Sequence, residues 1–456
     1  MSRFADIELP AALHQALDQL GYETATPVQA QTLPPMLQGH DVLVQAKTGS
    51  GKTVAFGLAL LATLQSESTR LQGLILCPTR ELAEQVSKEL RALARFVPNI
   101  KILSLCGGVS VRVQLASLSH EPHIVVGTPG RIQDLIKRGA LPLDGLSTVI
   151  LDEADRMLDM GFIEPIKSIL EGTPSRRKTW LFSATYTDDI RAISSAFQRT
   201  PVDIAIAEPP STTTITQHFY KAEKADKLPA LSALLSTHKP HSCLIFCNTK
   251  IDTRDVAAQL QQRGYSALAL HGDLDQRDRD ETVVQFANGS CQVLVATDVA
   301  SRGLHFEGLP MVIAYELPHD PAVHVHRIGR TGRAGETGLA CTLVSGREQA
   351  RMPAVEKTLG KPLAWAELPA AQPGRPAPQP KTKTLIIDAG RKDKLRPGDI
   401  LGALTGAGGL DGQDVGKIDV FATRAYVAVN QRRARATASA LRQAKIKGRK
   451  FRIREL

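Results

Sequence analysis

Aromatic residues make up only 4% of the 456-residue chain, so its cores must be built from aliphatic side chains. No run approaches the roughly 18 uninterrupted apolar residues of a membrane span, and the N-terminal residues lack the pattern of a secretory leader. The expectation is a cytoplasmic protein with no membrane partner. Cysteine is sparse: Cys77, Cys106, Cys243, Cys247, Cys291 and Cys341 form no C-x-x-C pair and no Cys/His cluster with zinc spacing. Cys243 and Cys247 bound the apolar run Cys243-Leu244-Ile245-Phe246-Cys247, which reads as a buried strand with inert, reduced thiols. Acidic residues are what the end of the chain lacks. Residues 381–456 carry 18 basic and 7 acidic side chains, a net of +11, whereas the formal charge of the whole chain is +10. The other 380 residues are therefore nearly neutral, and the segregated basic tail points to a polyanionic partner.

Short apolar runs alternate with amphipathic stretches over residues 1–208. Asp41–Val44, Gly73–Leu76, Ile102–Leu105, Ile124–Val126 and Thr148–Leu151 read as strands, and the alternation predicts a doubly wound parallel sheet. A Pro/Ser/Thr-rich joint spans Glu208–Thr216. The pattern then resumes over 217–368, with strands at Leu244–Phe246, Ala267–Leu270, Val293–Val295 and Met311–Ile313. Residues 369–383 form a proline-rich linker that cannot build a core. Residues 384–456 read as a third, smaller domain with the order strand (Thr384–Asp388), helix (Pro397–Leu404), strand (Lys417–Val420), strand (Ala425–Val429), helix (Arg433–Ala444), strand (Lys450–Arg454). This βαββαβ order fits a split-βαβ α+β sandwich.

The chemistry concentrates at strand ends. Ala46-Lys47-Thr48-Gly49-Ser50-Gly51-Lys52-Thr53 follows a strand and opens a helix, the context of a phosphate-cradling loop. Glycines let backbone N–H groups converge on phosphate, and the helix dipole favours the anion. Lys52 would place its charge on the outer phosphates, and Thr53 its hydroxyl on Mg²⁺. The first position is Ala46 where the general loop pattern has glycine. About a hundred residues later, Asp152-Glu153-Ala154-Asp155 follows Val149-Ile150-Leu151. Carboxylates there lie at the ligand-binding edge of a parallel sheet. Asp152 would hold Mg²⁺ and Glu153 would orient or deprotonate the attacking water.

Asp152-Glu153-Ala154-Asp155 spells the name of a family, and the chain resembles DEAD-box RNA helicases over about residues 4–335. Ala46 is usual in that family's loop. The resemblance implies two tandem RecA-like domains using ATP and Mg²⁺. It implies that Gln29, in Gly21-Tyr22-Glu23-Thr24-Ala25-Thr26-Pro27-Val28-Gln29, reads the adenine edge beside Thr26, while Phe4 stacks on the ring. Pro78-Thr79-Arg80, Gly107-Gly108 and Thr128-Pro129-Gly130-Arg131 resemble segments gripping the RNA backbone. Ser183-Ala184-Thr185 resembles the motif coupling hydrolysis to strand separation. In the second domain His271-Gly272-Asp273 and Gln276 to Arg279 resemble further RNA-side motifs, and Ala296-Thr297-Asp298-Val299-Ala300-Ser301-Arg302-Gly303 resembles the motif that touches both RNA and nucleotide, with Thr297 on the RNA. His326-Arg327-Ile328-Gly329-Arg330-Thr331-Gly332-Arg333 closes the set. Arg330 and Arg333, three apart, would share a helix face and stabilise the charge that spreads over the transferred phosphoryl group. One position departs: His305 stands where an aspartate usually meets the ribose, and imidazole lacks a fixed charge near neutral pH.

The tail resembles an RNA-recognition motif of the kind found in one bacterial subgroup of these helicases. The likeness rests on Asp388-Ala389-Gly390, Arg396 to Gly406, Gly409-Leu410-Asp411-Gly412, Gly416-Lys417-Ile418 and Lys445-Ile446-Lys447-Gly448. It implies docking on a hairpin of large-subunit ribosomal RNA and work on pre-50S particles during ribosome assembly. Only Tyr426 occupies an aromatic stacking position, since Ile386 and Val429 replace others. A basic face of Arg432, Lys445, Lys447, Arg449 and Lys450 is the expected RNA surface. A non-catalytic RNA-bound scaffold and a DNA helicase share parts of the pattern; intact Lys52, Glu153, Arg330 and Arg333 argue against the scaffold.

Overall fold

A computed structural model describes residues 3–46, 49–206, 215–301, 304, 306, 308–332, 337–370 and 377–456. The chain divides into two compact units, Met1–Pro209 and Pro210–Leu456.

The first unit is built on seven strands: β1 (Val42–Gln45), β2 (Gly73–Leu76), β3 (Ile102–Leu105), β4 (Ile124–Gly127), β5 (Thr148–Leu151), β6 (Lys178–Ser183) and β7 (Val202–Ala205). All pair in parallel, in the order β3-β4-β2-β5-β6-β1-β7. The apolar runs form strands because both sheet faces are covered by helices, so every position needs an apolar side chain. Alternate residues feed opposite cores. Val42, Val44, Ile75, Ile150, Trp180 and Phe182 enter one cluster, and Leu43, Leu74, Leu76, Val149, Leu151 and Leu181 the other.

The second unit opens with six parallel strands, β8 (Ile215–Lys221), β9 (Cys243–Cys247), β10 (Ala267–Leu270), β11 (Val293–Thr297), β12 (Met311–Ala314) and β13 (Gly338–Val344), ordered β10-β11-β9-β12-β13-β8. The five expected strands of the first unit and the four of the second are present, and β6, β7, β8 and β13 join them. All six cysteines are free and buried. No described helix is long and apolar enough to cross a membrane.

The tail forms an antiparallel sheet, β14 (Thr382–Ile387), β15 (Val415–Val420), β16 (Ala425–Asn430) and β17 (Ile453–Glu455), ordered β15-β16-β14-β17. Leu385, Ile387, Val427 and Val429 face the tail's own helices, Pro397–Thr405 and Ala434–Gln443. β14 begins two residues earlier than expected, and β17 is confined to three residues. Ile446 and Arg449 form a bridge across a tight turn, which delays the return of the chain to the sheet.

The opposite face of the tail sheet is not solvated. Ile386 and Tyr426, paired across β14 and β16, pack on Val284 of the helix Gln276–Ala287. Tyr426 is 3% exposed, so the expectation that its ring stacks a base does not survive this packing. Beside it, Asn288 Nδ2 donates to Thr384 Oγ1 at 2.9 Å, and the Thr384 hydroxyl donates to Ser290 Oγ at 2.9 Å. Glu281 stands among three guanidinium groups, from Arg277 at 3.1 Å, Arg424 at 3.4 Å and Arg454 at 3.9 Å. Partly exposed pairs of this kind contribute up to ~1 kcal/mol each, and the apolar contact adds to them. Glu281→Lys should turn these attractions into repulsion and loosen the tail. Fluorescence energy transfer between labels on the second helicase domain and the tail should then show a broadened distance distribution, with the fold of each part retained by circular dichroism.

Candidate active site

The strand order sorts the motifs in space. β1, β6 and β5 are neighbours, and their carboxyl ends carry the phosphate loop, Ser183–Thr185 and Asp152–Asp155. β2, β4 and β3 form the other half of the sheet, and their carboxyl ends carry Pro78–Arg80, Thr128–Arg131 and Gly107–Gly108. Three parallel strands thus gather the residues expected on the nucleotide side, and three more those expected on the RNA side, along one edge.

The described residues of the phosphate loop are held by hydrogen bonds within the protein. Lys47 and Thr48 lie outside the described residues. Lys52 opens the helix Lys52–Thr63, is 5% exposed, and its ammonium donates to the Ala46 carbonyl at 2.9 Å. Gly51 has φ +92°, a backbone conformation that favours glycine, and a Cβ there would stand 2.6 Å from Gln29 Nε2 and displace that amide. Gln29 Nε2 donates to the Gly51 carbonyl at 3.1 Å, and Gln29 Oε1 accepts the Thr26 N–H at 2.8 Å. The Thr26 hydroxyl donates to the Ser50 carbonyl at 2.9 Å. The residues expected to read adenine therefore hold the loop, and Gln29 must exchange partners to reach a base. Phe4 is 2% exposed, so stacking on adenine requires one ring face to be uncovered.

Asp152 and Glu153 are buried at the end of β5. Burial pushes the Asp152 carboxyl above its usual range; Lys52 pulls it back, and the Glu153 charge pushes it up again. Asp152 Oδ1 has no hydrogen-bond partner among the described residues. Glu153 adopts φ +52°, a left-handed conformation rare outside glycine, and pairs with Arg156 at 3.1 Å. A buried carboxylate oxygen without a partner, beside the Lys52 charge, suits a hard divalent cation. Asp152 fits Mg²⁺ on this ground, and Thr53 follows Lys52 at the start of the same helix.

Asp155 does what the sequence pattern did not assign to it. Its Oδ2 accepts the N–H groups of Ala184 and Thr185 and the Thr185 hydroxyl, each at 3.1 Å. The Ser183 hydroxyl donates to the Thr185 carbonyl at 2.6 Å. The end of β5 is thereby tied to the end of β6, which in turn holds the loop, because the Ala46 N–H donates to the Ser183 carbonyl at 2.9 Å.

On the other half of the edge, Thr79 and Thr128 stand before the helices Arg80–Leu93 and Pro129–Lys137, whose N-termini suit phosphate. The Arg80 guanidinium lies over Gly108 where a side chain would stand. Arg131 donates to the Val109 carbonyl at 3.1 Å and to Gln114, which donates to the Cys106 carbonyl at 2.9 Å. Pro78, Gly107 and Gly130 complete this stretch.

In the second unit, Thr297 is 8% exposed and its hydroxyl accepts the Ala300 N–H. The helix Pro321–Ile328 ends at Gly329, so Arg330 lies beyond it rather than on a helix face. Arg330 is 7% exposed and donates to the Leu304 carbonyl at 2.9 Å. Arg333 and His305 lie outside the described residues. Arg327, not singled out from sequence, is 1% exposed and donates to both oxygens of Asp298, at 2.8 and 2.7 Å, and to Asn248 Oδ1. It fixes the arginine segment to the turn after β11.

Family models match these units: a DEAD/DEAH box helicase domain over residues 26–193, a helicase conserved C-terminal domain over 226–335, and a DbpA RNA-binding domain over 384–455. The ATP-dependent RNA helicase DbpA of Escherichia coli is 51% identical over 100% of both chains. The chain belongs to the DEAD-box family of ATP-dependent RNA helicases. The helicase CshA of Listeria monocytogenes is 43% identical, covering 81% of this chain and 71% of that protein. Among solved structures, Saccharomyces cerevisiae Dbp5 bound to RNA and ADP BeF3 aligns with a TM-score of 0.74 at 27% identity, covering 81% of this helicase and 96% of that chain.

The raised Asp152 carboxyl sets a testable sign. A folded-state value above the unfolded one means that this group favours the native state at low pH and costs stability as pH rises through it. Asp152→Asn should therefore raise the melting temperature of the ligand-free helicase at pH 7, with the gain shrinking toward pH 4. Thermal unfolding in EDTA across that range checks it.

Proposed function

We propose that this helicase opens short RNA duplexes locally by closing its two ATP- and RNA-binding domains, and that its tail directs it to a hairpin of large-subunit ribosomal RNA on pre-50S particles in the cytoplasm. The observation that carries this reading is the tail: a net +11 segment matched by an RNA-binding family model and joined to a complete set of helicase motifs.

ATP lies with its phosphates in the loop of Lys47–Thr53, Lys52 neutralising the outer phosphates. Thr53 and Asp152 would hold Mg²⁺, which would supply positive charge to offset that of the phosphates. Glu153 orients the water. Arg330 and Arg333 reach the transferring phosphoryl group on closure, and Arg330 leaves the Leu304 carbonyl to do so. Pro78, Thr79, Arg80, Gly107, Gly108, Thr128 to Arg131 and Thr297 hold the RNA backbone, which gives little sequence preference. Because each ligand favours the closed state, each tightens the other's binding.

Address then comes from the tail. The expected basic face has to be divided, because Arg432 precedes the helix Ala434–Gln443 and Lys445 to Lys450 follow it. A ten-residue helix spans ~15 Å. Lys445, Lys447, Arg449 and Lys450 are exposed together. Lys447 also donates to the Lys394 carbonyl at 2.8 Å, which joins this loop to the basic stretch Arg391–Lys394. That junction is the RNA surface we assign, in place of Tyr426.

Glu153→Gln should retain ATP binding and lose RNA-stimulated phosphate release by at least about a hundredfold, the scale of a lost general base. Phosphate release at the wild-type rate would remove Glu153 from its role. Deleting residues 381–456 should leave a weaker ATPase that no longer distinguishes ribosomal RNA fragments from unrelated RNA at fixed salt. Unchanged selectivity would show that the tail is not the address.

A further inference from the structure

The helix Val111–Leu118 inverts the usual burial. Its apolar residues Val113 and Leu115 are 50% and 37% exposed, and Gln114 between them, at 4%, is its one buried side chain. Val111 and Leu118, at its two ends, pack against the core only in part. A buried amide is costly unless both its ends are paired. Here both are. Gln114 Nε2 donates to the Cys106 carbonyl at 2.9 Å, and Gln114 Oε1 accepts from Arg131 Nη1. A carbonyl only accepts and a guanidinium only donates, so the amide has a single orientation at this place. Arg131 Nη1 also donates to the Val109 carbonyl at 3.1 Å. The segment from Cys106 to Val109, which holds Gly107 and Gly108 after β3, is thus pinned at its start by Gln114 and at its end by Arg131. The two pinning side chains also bond each other. Both hydrogens of Nη1 are used in this way. Because the guanidinium is a rigid plane, the directions of its other three hydrogens follow.

We propose that Gln114 is a positioning residue for RNA: it fixes the Arg131 guanidinium before RNA arrives and ties it to the turn after β3. Gln114 belongs to none of the helicase motifs, and its partners lie 8 and 17 residues away. The inference rests on the reading that Arg131 and Gly107–Gly108 hold the RNA backbone. An arginine with free rotamers has to be ordered when phosphate binds, whereas one held beforehand does not. Gln114 touches no RNA in this role, so its effect should pass through Arg131.

The test is fluorescence anisotropy of a short labelled uridine oligonucleotide with the full-length helicase, a non-hydrolysable ATP analogue and fixed salt. Gln114→Met keeps the length of the side chain without its polar ends. It should raise the RNA dissociation constant about fivefold to tenfold, the scale of one long side chain to be ordered on binding. Binding of a fluorescent ATP analogue without RNA should match the wild type. In an Arg131→Met background the same substitution should add little, because the group it positions is gone. Wild-type RNA affinity in Gln114→Met overturns the proposal, as does an equal loss in both backgrounds or a matching loss of nucleotide binding without RNA. Arg131→Lys gives a check that leaves Gln114 in place. It keeps the charge but lacks the planar fork, so RNA binding should weaken there too, and wild-type affinity overturns the proposal. Should Arg131→Met itself bind RNA normally, Arg131 is no part of the grip, and the reading beneath this inference falls along with it.

Discussion

Asp155 accepts three hydrogen bonds from Ala184 and Thr185, and through them the ends of β5 and β6 move as one piece. The Ser183 carbonyl then receives the Ala46 N–H at the root of the phosphate loop. This short chain of contacts runs from the acidic pair, across the Ser183–Thr185 turn, to the residues that would grip phosphate. Its geometry depends on the parallel register of β5, β6 and β1, in which Leu151 pairs with Leu181 and Gln45 with Ser183. A one-residue slip in any of them would invert the side chains at the strand end. The apolar content of the strands is thus what holds a polar site in place. A site that must change with the state of a nucleotide also needs somewhere to change. The internal bonds of Lys52, Gln29 and Thr26 supply it, since each is a hydrogen bond that a triphosphate or a base can replace.

The sheets were legible because a strand buried on both faces leaves a continuous apolar run, as in Gly73–Leu76 or Thr148–Leu151. β7 was harder to see. It lies at the edge of its sheet, and Val202, Asp203 and Ala205 are exposed there, so the run is broken. The nucleotide site was legible because its residues cluster within a few positions of a strand end. Asp155 stood in plain view within the acidic quartet, but its partners lie 29 and 30 residues away. Arg327 shows the same limit, since what occupies it is a carboxylate 29 residues back. Helical spacing misled at Arg330 because Gly329 ends the helix before it.

Tyr426 carries the most physical lesson. An aromatic residue on a central strand fits both base stacking and packing, and local sequence cannot separate them. The residue paired with it does. Ile386 is aliphatic and fully buried on a sheet face that its own domain leaves bare. An aliphatic side chain there has nothing to offer a base except contact, whereas it gains from a protein neighbour. Val284 provides that neighbour, and Thr384 meets Asn288 and Ser290 alongside.

The helix that covers the tail is also one that faces RNA in the family pattern. Gln276 to Arg279 open it, Arg279 donates to the Ala300 carbonyl at 2.7 Å in the turn after β11, and Glu281 and Val284 on its next turns hold the tail. A single helix therefore connects the turn after β11, expected on the RNA side, to the sheet of the RNA-binding tail. The two cannot shift independently without breaking contacts along about 12 Å of helix, the length between Gln276 and Val284 at 1.5 Å per residue. The charge balance points the same way. Within a strongly basic tail, Arg424 and Arg454 are turned inward to Glu281, whereas Lys394, Lys447, Arg432, Arg433 and Arg435 are exposed. Pairing on the sheet face in this manner keeps those two guanidinium groups from adding to the exposed positive charge of the tail.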